Sequence, residues 1–238
     1  MFAVETRHRA PARLRHLISL RLREVLIALL PPDVACAVEE ITADDRVAPE
    51  EAPIIECAVT SRRREFAAGR RCARAALAAL GGPAAPIGRG RMGEPLWPQG
   101  FAGSITHSRR FAAAVAYPAR GGRPHHGIDL VEEGDEVALV EVARSILSDR
   151  EQQSLGAGVH DGMAIARYFS AKEATMKLVS PALGRRVDFP ELETVRREDE
   201  LIVSAPGLLD VVTRGQWVGG VLITVACMAD SSRSTPKN

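Results

Sequence analysis

Two prolines three residues apart, Pro95 and Pro98, follow a glycine fingerprint and decide what it cannot be. Gly88, Gly90 and Gly93 have the G-x-G-x-x-G spacing that brings a pyrophosphate onto a helix N-terminus in a dinucleotide-binding unit. That requires a helix to begin inside the motif. The run Glu94-Pro95-Leu96-Trp97-Pro98-Gln99-Gly100 cannot continue one, because proline lacks the amide hydrogen and its ring clashes with the preceding turn. The dinucleotide fold fails here, and an NAD-dependent oxidoreductase drops behind the other readings. Arg89 and Arg91 still place two cations beside flexible backbone, so a phosphate suits the loop.

A chain of 238 residues, 46% hydrophobic and 26% charged, can bury a substantial core as one large domain or two halves. Its formal net charge of +1 gives no overall attraction to nucleic acid or a membrane surface, so any basic site is local. Cys36, Cys57, Cys72 and Cys227 contain no C-x-x-C pair, which argues against a zinc module and a disulfide framework and for a reducing cytoplasm. The longest apolar run, 218–229, holds two glycines and is too short for a membrane span.

The pattern alternates α and β signals. Residues 62–80 are alanine-rich, periodic in Phe66, Cys72, Ala73, Ala76, Leu77 and Leu80, and end at Gly81-Gly82, which predicts a helix. Residues 101–117 predict two strands joined near His107, and "HHGIDLV" another. The Gly/Pro turn from Pro118 to Pro124 is the expected midpoint. Ser148 and Glu151 have capping-box spacing, and Asp161 can cap a longer helix that is expected to end at Ser180-Pro181. The expected organisation is a basic extension over 1–23, halves over 24–122 and 123–229, and a disordered Ser-rich tail over 230–238. The extension, with Arg7, Arg9, Arg13, Arg15, Arg21 and Arg23 around Leu14, Leu17, Ile18 and Leu22, reads as an N-terminal helix, an overlong start or a transit-like segment.

Lysine use singles out the chemistry. Only three of the 31 basic residues are lysines, and two, Lys172 and Lys177, flank Glu173 in "SAKEATMK". A compact ammonium suits a crowded phosphate better than a planar guanidinium. Glu173 and Lys177, four apart, share a helix face, which also fits a merely solvated pair. Asp129 sits in the apolar strand "GIDLV", where an unpaired carboxylate is costly, so it needs a cation or a metal. A strand Asp and a helix Glu can hold Mg²⁺. His107 follows Thr106 at a strand end, as either a structural or a functional histidine. Arg62, Arg70 and Arg74 fall near one helix face, as surface charge or, with Arg89 and Arg91, as a pocket for a phosphorylated ligand.

In order and wording, "RRREFAAGRRCARAAL", "GEPLWPQGFAGSITHS", "GIDL" and "FSAKEATMK" resemble the successive signatures of 4'-phosphopantetheinyl transferases of the enterobactin-synthetase component D type. The resemblance covers residues 24–229. It implies an α/β (α+β) pseudo-twofold fold of two similar halves, each a small antiparallel sheet with packed helices, and coenzyme A between them. It further implies Arg62, Arg70, Arg89, Gly90, Arg91 and Met92 at the nucleotide end, with Thr106 and His107 at the phosphates. Asp129 and Glu173 would ligate Mg²⁺, with Mn²⁺ as a substitute. Lys177 would neutralise the pyrophosphate with Lys172 close by, and Glu173 would be the general base.

The implied reaction moves phosphopantetheine from coenzyme A to a serine of an apo acyl or peptidyl carrier protein, in siderophore, nonribosomal-peptide or polyketide synthesis. The implied enzyme is a cytoplasmic monomer. The alternative is a module that binds coenzyme A or a carrier without turnover.

One departure stands out. The family commonly writes G-I-D-x-E, and the place of that second acid is Val131. Glu132 would face the other way on a regular strand. Water or the Leu130 carbonyl would then take the coordination position. If Val131 faces the metal, an acid there strengthens the site; if it packs on an apolar wall, a charge there destabilises the protein.

Overall fold

The computed structural model describes residues 11–119, 125–205, 207 and 210–228. Most of the Pro118 to Pro124 turn, the tail from Asp230, and Arg7 and Arg9 fall outside them.

Helix α1 (Ala12–Leu29) packs Ile18, Leu22 and Leu26 inward, so it crosses position 23 as part of the core. Strand β1 (Ala35–Glu40) and a short 3-10 segment (Pro49–Ile55) lead to α2 (Thr60–Ala79). The expected stop at Gly81-Gly82 is a Schellman cap: the Gly82 amide donates to the Leu77 carbonyl and that of Gly81 to Ala78. Strands β2 (Gly88–Arg89) and β3 (Pro95–Leu96) form a small hairpin. Then come β4 (Phe101–His107), β5 (Phe111–Pro118) and β6 (His126–Glu132), the three strands expected from the sequence.

Short helices α3 (Glu136–Glu141), α4 (Ala143–Ile146) and α5 (Asp149–Leu155) precede α6 (Gly162–Leu183). Ser148 and Glu151 close their capping box reciprocally, and the Asp161 carboxylate accepts the Met163 amide. Helix α6 does not stop at Ser180-Pro181. Pro181 lies in its last turn, where it forfeits one backbone bond without breaking the helix, and left-handed Gly184 (φ 64°) ends it. Strands β7 (Glu193–Arg197), β8 (Glu200–Ser204), β9 (Val211–Val218) and β10 (Val221–Met228) complete the fold. The long apolar run is thus the β9–β10 turn and β10. Among the described residues, no helix is long and apolar enough to cross a membrane.

One antiparallel sheet orders β1-β5-β4 and the other β6-β10-β9-β8-β7. Alternation along β5 sends Phe111, Ala113, Val115 and Tyr117 toward the α1 side and Ala112 and Ala114 toward α2. In the same way β6 sends Ile128 and Leu130 toward α1, and Asp129 and Val131 to the opposite face, against α6. Helix α1 therefore backs both sheets, while α2 and α6 each cover one. Side chains stitch the seam between β4 and β6: the Ile128 amide donates to Ser104 Oγ at 3.2 Å, and the Leu130 amide to Thr106 Oγ1 at 3.2 Å. That seam gathers the candidate site residues Thr106 and Asp129.

Candidate active site

Gly127 explains why "GID" begins with glycine. A Cβ there would lie 2.0 Å from the Ala174 carbonyl oxygen, so α6 can approach β6 this closely only over a bare backbone. Two residues on, Asp129 points under α6 and is only 5% exposed. Its Oδ1 accepts from Lys177 Nζ at 2.6 Å and from Thr106 Oγ1 at 3.2 Å; its Oδ2 accepts from Ser170 Oγ at 3.0 Å. An ionised carboxylate only accepts, so the single Ser170 proton is committed to it. Thr224 Oγ1, 2.9 Å from Ser170 Oγ, must then be the donor in that pair. Thr106 is saturated too, accepting from the Leu130 amide and from Lys177 at 3.1 Å while donating to Asp129.

Glu173 lies on the same helix as Lys177, half-buried, with no hydrogen bond among the described residues. Burial raises its pKa, Lys177 opposes the rise, and the charge of Asp129 adds to it. Two carboxylates thus sit in opposed environments, one with three donors and one with none. That contrast suits a fixed anion beside a proton acceptor.

His107, at the end of β4, contacts Arg62 of α2 through Nε2. Guanidinium can only donate, so Nε2 accepts and the ring proton sits on Nδ1. Burial first, then Arg62 and Lys177, push its pKa down to about 4, which keeps it neutral near pH 7. Arg70 forms a second cluster. It is 5% exposed, donates to the Gly88 carbonyl at 2.9 Å, stacks 4.7 Å over Phe66, and leaves its buried Nε without a partner. Burial lowers its pKa to about 10, Glu51 opposes that, and Arg74 and Arg89 reinforce it. Arg74 itself belongs to Glu51, 2.8 Å away.

The glycine fingerprint is the turn of the β2–β3 hairpin. Gly93 (φ 93°) takes the left-handed position, the Gly90 amide donates to the Glu94 carbonyl, and the Met92 amide to Glu94 Oε2. Arg91 and Met92 then line a groove of about 520 Å³ with Trp97 and, across from them, Pro181 and Gly184 from the end of α6.

Residues 50–117 match the family model for the 4'-phosphopantetheinyl transferase N-terminal domain, and residues 126–219 that for the 4'-phosphopantetheinyl transferase superfamily. The chain is 37% identical over 221 residues to 4'-phosphopantetheinyl transferase Svp of Streptomyces mobaraensis, covering 86% of this chain and 89% of that protein. The chain belongs to the 4'-phosphopantetheinyl transferase superfamily. It is also 39% identical over 145 residues to PptT of Mycobacterium tuberculosis, covering 60% of this chain and 62% of the relative. Enterobactin synthase component D of Salmonella typhi is 35% identical over 136 residues, 57% of this chain and 54% of the relative.

Not every expected residue of this transferase joins the cluster around Asp129. Lys172 is wholly buried and turns away from it. Its Nζ donates to Glu151 Oε2 at 2.7 Å, the Ile146 carbonyl at 2.8 Å and the Leu192 carbonyl at 2.9 Å. All three ammonium hydrogens have acceptors, so none is left for a phosphate. A 100° step between neighbouring helix residues separates it from Glu173. Val131 shares the face of Asp129 but lies, 3% exposed, among Leu139, Ile146, Ile165 and Leu222. Glu132 does face the other way: it accepts from Ser108 Oγ at 2.5 Å and from the Arg110 amide at 2.7 Å, clasping the two sheets just past His107.

The sequence alone did not single out Ser170 and Thr224 as neighbours of Asp129, nor Glu151 and Glu132 as buried anchors of the fold. Ser170 and Thr224 carried a usable signal, a hydroxyl inside an apolar helix or strand. A cavity of about 710 Å³ lies along α6, lined in part by Tyr168, Trp217 and Thr224.

Among the described residues, no three His, Cys, Asp or Glu side chains converge on a metal position. Two carboxylates suffice for Mg²⁺, which keeps waters and takes phosphate oxygens from a substrate. The donor-free carboxylate of Glu173 beside the carboxylate of Asp129 fits such an ion.

Proposed function

We propose that the protein transfers 4'-phosphopantetheine from coenzyme A to a serine of an apo acyl or peptidyl carrier protein and releases adenosine 3',5'-bisphosphate. The single observation that carries this is the convergence of Thr106, Asp129, Ser170 and Lys177 at the β4–β6 seam beneath α6, with Glu173 beside them.

In the reaction the serine oxygen forms a bond to the β-phosphorus of coenzyme A while the bond to the departing adenosine bisphosphate oxygen breaks. The serine proton passes to Glu173, whose raised pKa and lack of donors suit a general base. Lys177 offsets the charge of the pyrophosphate. Neutral His107, whose Nδ1 lies 3.6 Å from Glu65 Oε2, and Thr106 line the phosphate position. Arg62, Arg70 and the hairpin residues Arg89, Gly90, Arg91 and Met92 take the nucleotide end. The unpartnered Nε of buried Arg70 supports an anion there.

Asp129 and Glu173, with the Leu130 carbonyl as a further oxygen, would hold Mg²⁺ or Mn²⁺, which supplies charge neutralisation to the phosphates. Lys172 has no part in binding on this reading. The four free cysteines suit a reducing cytoplasm, and the protein works as a monomer. Siderophore, nonribosomal-peptide and polyketide carriers are the acceptors proposed.

Mass spectrometry of an apo carrier protein incubated with the enzyme, coenzyme A and Mg²⁺ tests the reading. A phosphopantetheine adduct on the acceptor serine is expected. Coenzyme A binding with no adduct on any carrier would show a module that binds without turnover.

A further inference from the structure

Lys177 Nζ directs its hydrogens at Asp129 Oδ1 (2.6 Å), Thr106 Oγ1 (3.1 Å) and the Ile128 carbonyl (3.3 Å). With Thr106 also donating to Oδ1, both lone pairs of that oxygen are engaged, while Oδ2 carries Ser170 and has one lone pair left. The ammonium therefore neutralises the same carboxylate that a divalent cation would use. The two carboxylates of Asp129 and Glu173 are offset by the one ammonium of Lys177, a formal sum of about −1, and Val131 adds no charge.

From this we infer that Lys177 and the divalent cation compete for Asp129, and that the pyrophosphate of coenzyme A resolves the competition by drawing Lys177 away. The cation then binds tightly only together with the nucleotide. This rests on the metal-dependent reading above and adds to it an order of assembly. The side chain can make the move: a lysine has a flexible four-carbon stem, and that of Lys177 is 29% exposed. Lys172 also has three acceptors, but it is 0% exposed and no phosphate can reach it. Ser170 and Thr106 keep the Asp129 carboxylate oriented when the ammonium leaves.

The test is Mn²⁺ binding by the full chain, followed by electron paramagnetic resonance of the free ion, with no carrier protein and hence no turnover. Wild type is expected to bind Mn²⁺ weakly alone and at least about tenfold more tightly with coenzyme A. Removing the competitor in Lys177→Met should tighten binding without coenzyme A by about tenfold or more, because a like charge is lost close to the ion. Lys177→Gln, which can still donate to Asp129, serves if the methionine variant is poorly folded, and should shift binding in the same direction. Equal or weaker binding in folded Lys177→Met or Lys177→Gln overturns the competition. A wild type that takes up no Mn²⁺ even with coenzyme A overturns the metal-site reading itself.

Discussion

Lys172 and Glu151 form an ion pair at 2.7 Å with neither side chain exposed to solvent. The pair is a junction of four segments. Lys172 adds the Ile146 and Leu192 carbonyls, and Glu151 accepts the Ser148 amide through Oε2 and the Thr194 amide through Oε1. Next along α6, Glu173 is half-buried and feels the charges of Lys177 and Asp129. One helix step thus separates a group that holds the fold together from one whose side chain has no hydrogen bond among the described residues.

Replacing Lys172 by Met should destabilise the protein by about 3–5 kcal/mol, because it leaves the Glu151 charge buried without its partner. Denaturant unfolding measures the loss. Below the lowered melting temperature, KM for coenzyme A should stay near the wild-type value, since Nζ is committed to three buried acceptors; Lys177→Met should raise it. A matching rise in Lys172→Met would return that lysine to the phosphates.

Glu173→Gln should lower kcat by about 10²–10⁴-fold, the usual contribution of a positioned base. Its stability should move the other way. The folded state raises the pKa of Glu173 above the ordinary 4.5, so it binds this proton more readily than the unfolded chain does, and stability falls as pH rises through that window. The glutamine variant should therefore melt above wild type at pH 7, with the difference shrinking toward pH 4. A lower melting temperature at pH 7 would contradict the burial argument.

Val131→Glu should not lower the Mg²⁺ concentration needed for half-maximal transfer. Val131 contacts an apolar wall of Leu139, Ile146, Ile165 and Leu222, and a carboxylate there should cost about 2–4 kcal/mol of stability. A melting curve and a Mg²⁺ titration on the same protein check both halves. A stable variant with a reduced Mg²⁺ requirement would place position 131 at the metal.

Burial pushes the pKa of both His107 and His126 to about 4. Histidine in the unfolded chain titrates near 6.5, so below that pH the unfolded state takes up protons that the folded state refuses, and stability drops between about 6.5 and about 4. His107→Gln and His126→Gln should each flatten this decline. Unchanged melting-temperature slopes across the interval in both variants would show that neither ring is held neutral.

Sequence alone determined what depends on neighbours along the chain. The helix stop at Gly81-Gly82, the reciprocal cap of Ser148 and Glu151, the N-cap at Asp161 and the strands around His107 and "GID" all arise from local bonding and short periodicity. Pro95 and Pro98 were enough to remove the dinucleotide helix. The demand of Asp129 for a cation was also legible, since a carboxylate in an apolar strand needs a partner whatever the fold.

Only the tertiary structure decided which partner each group has. Lys172 and Lys177 are alike in sequence, yet the fold buries one against Glu151 and brings the other to Asp129, because a helix turns through 100° per residue and its surroundings differ on every side. Ser170 acquires its importance from Thr224 and Asp129, 54 and 41 residues away. Val131 keeps the strand face of the missing acid but lies in an apolar cluster. Hydrogen bonds and burial act through space, between residues that the order of the chain does not make neighbours.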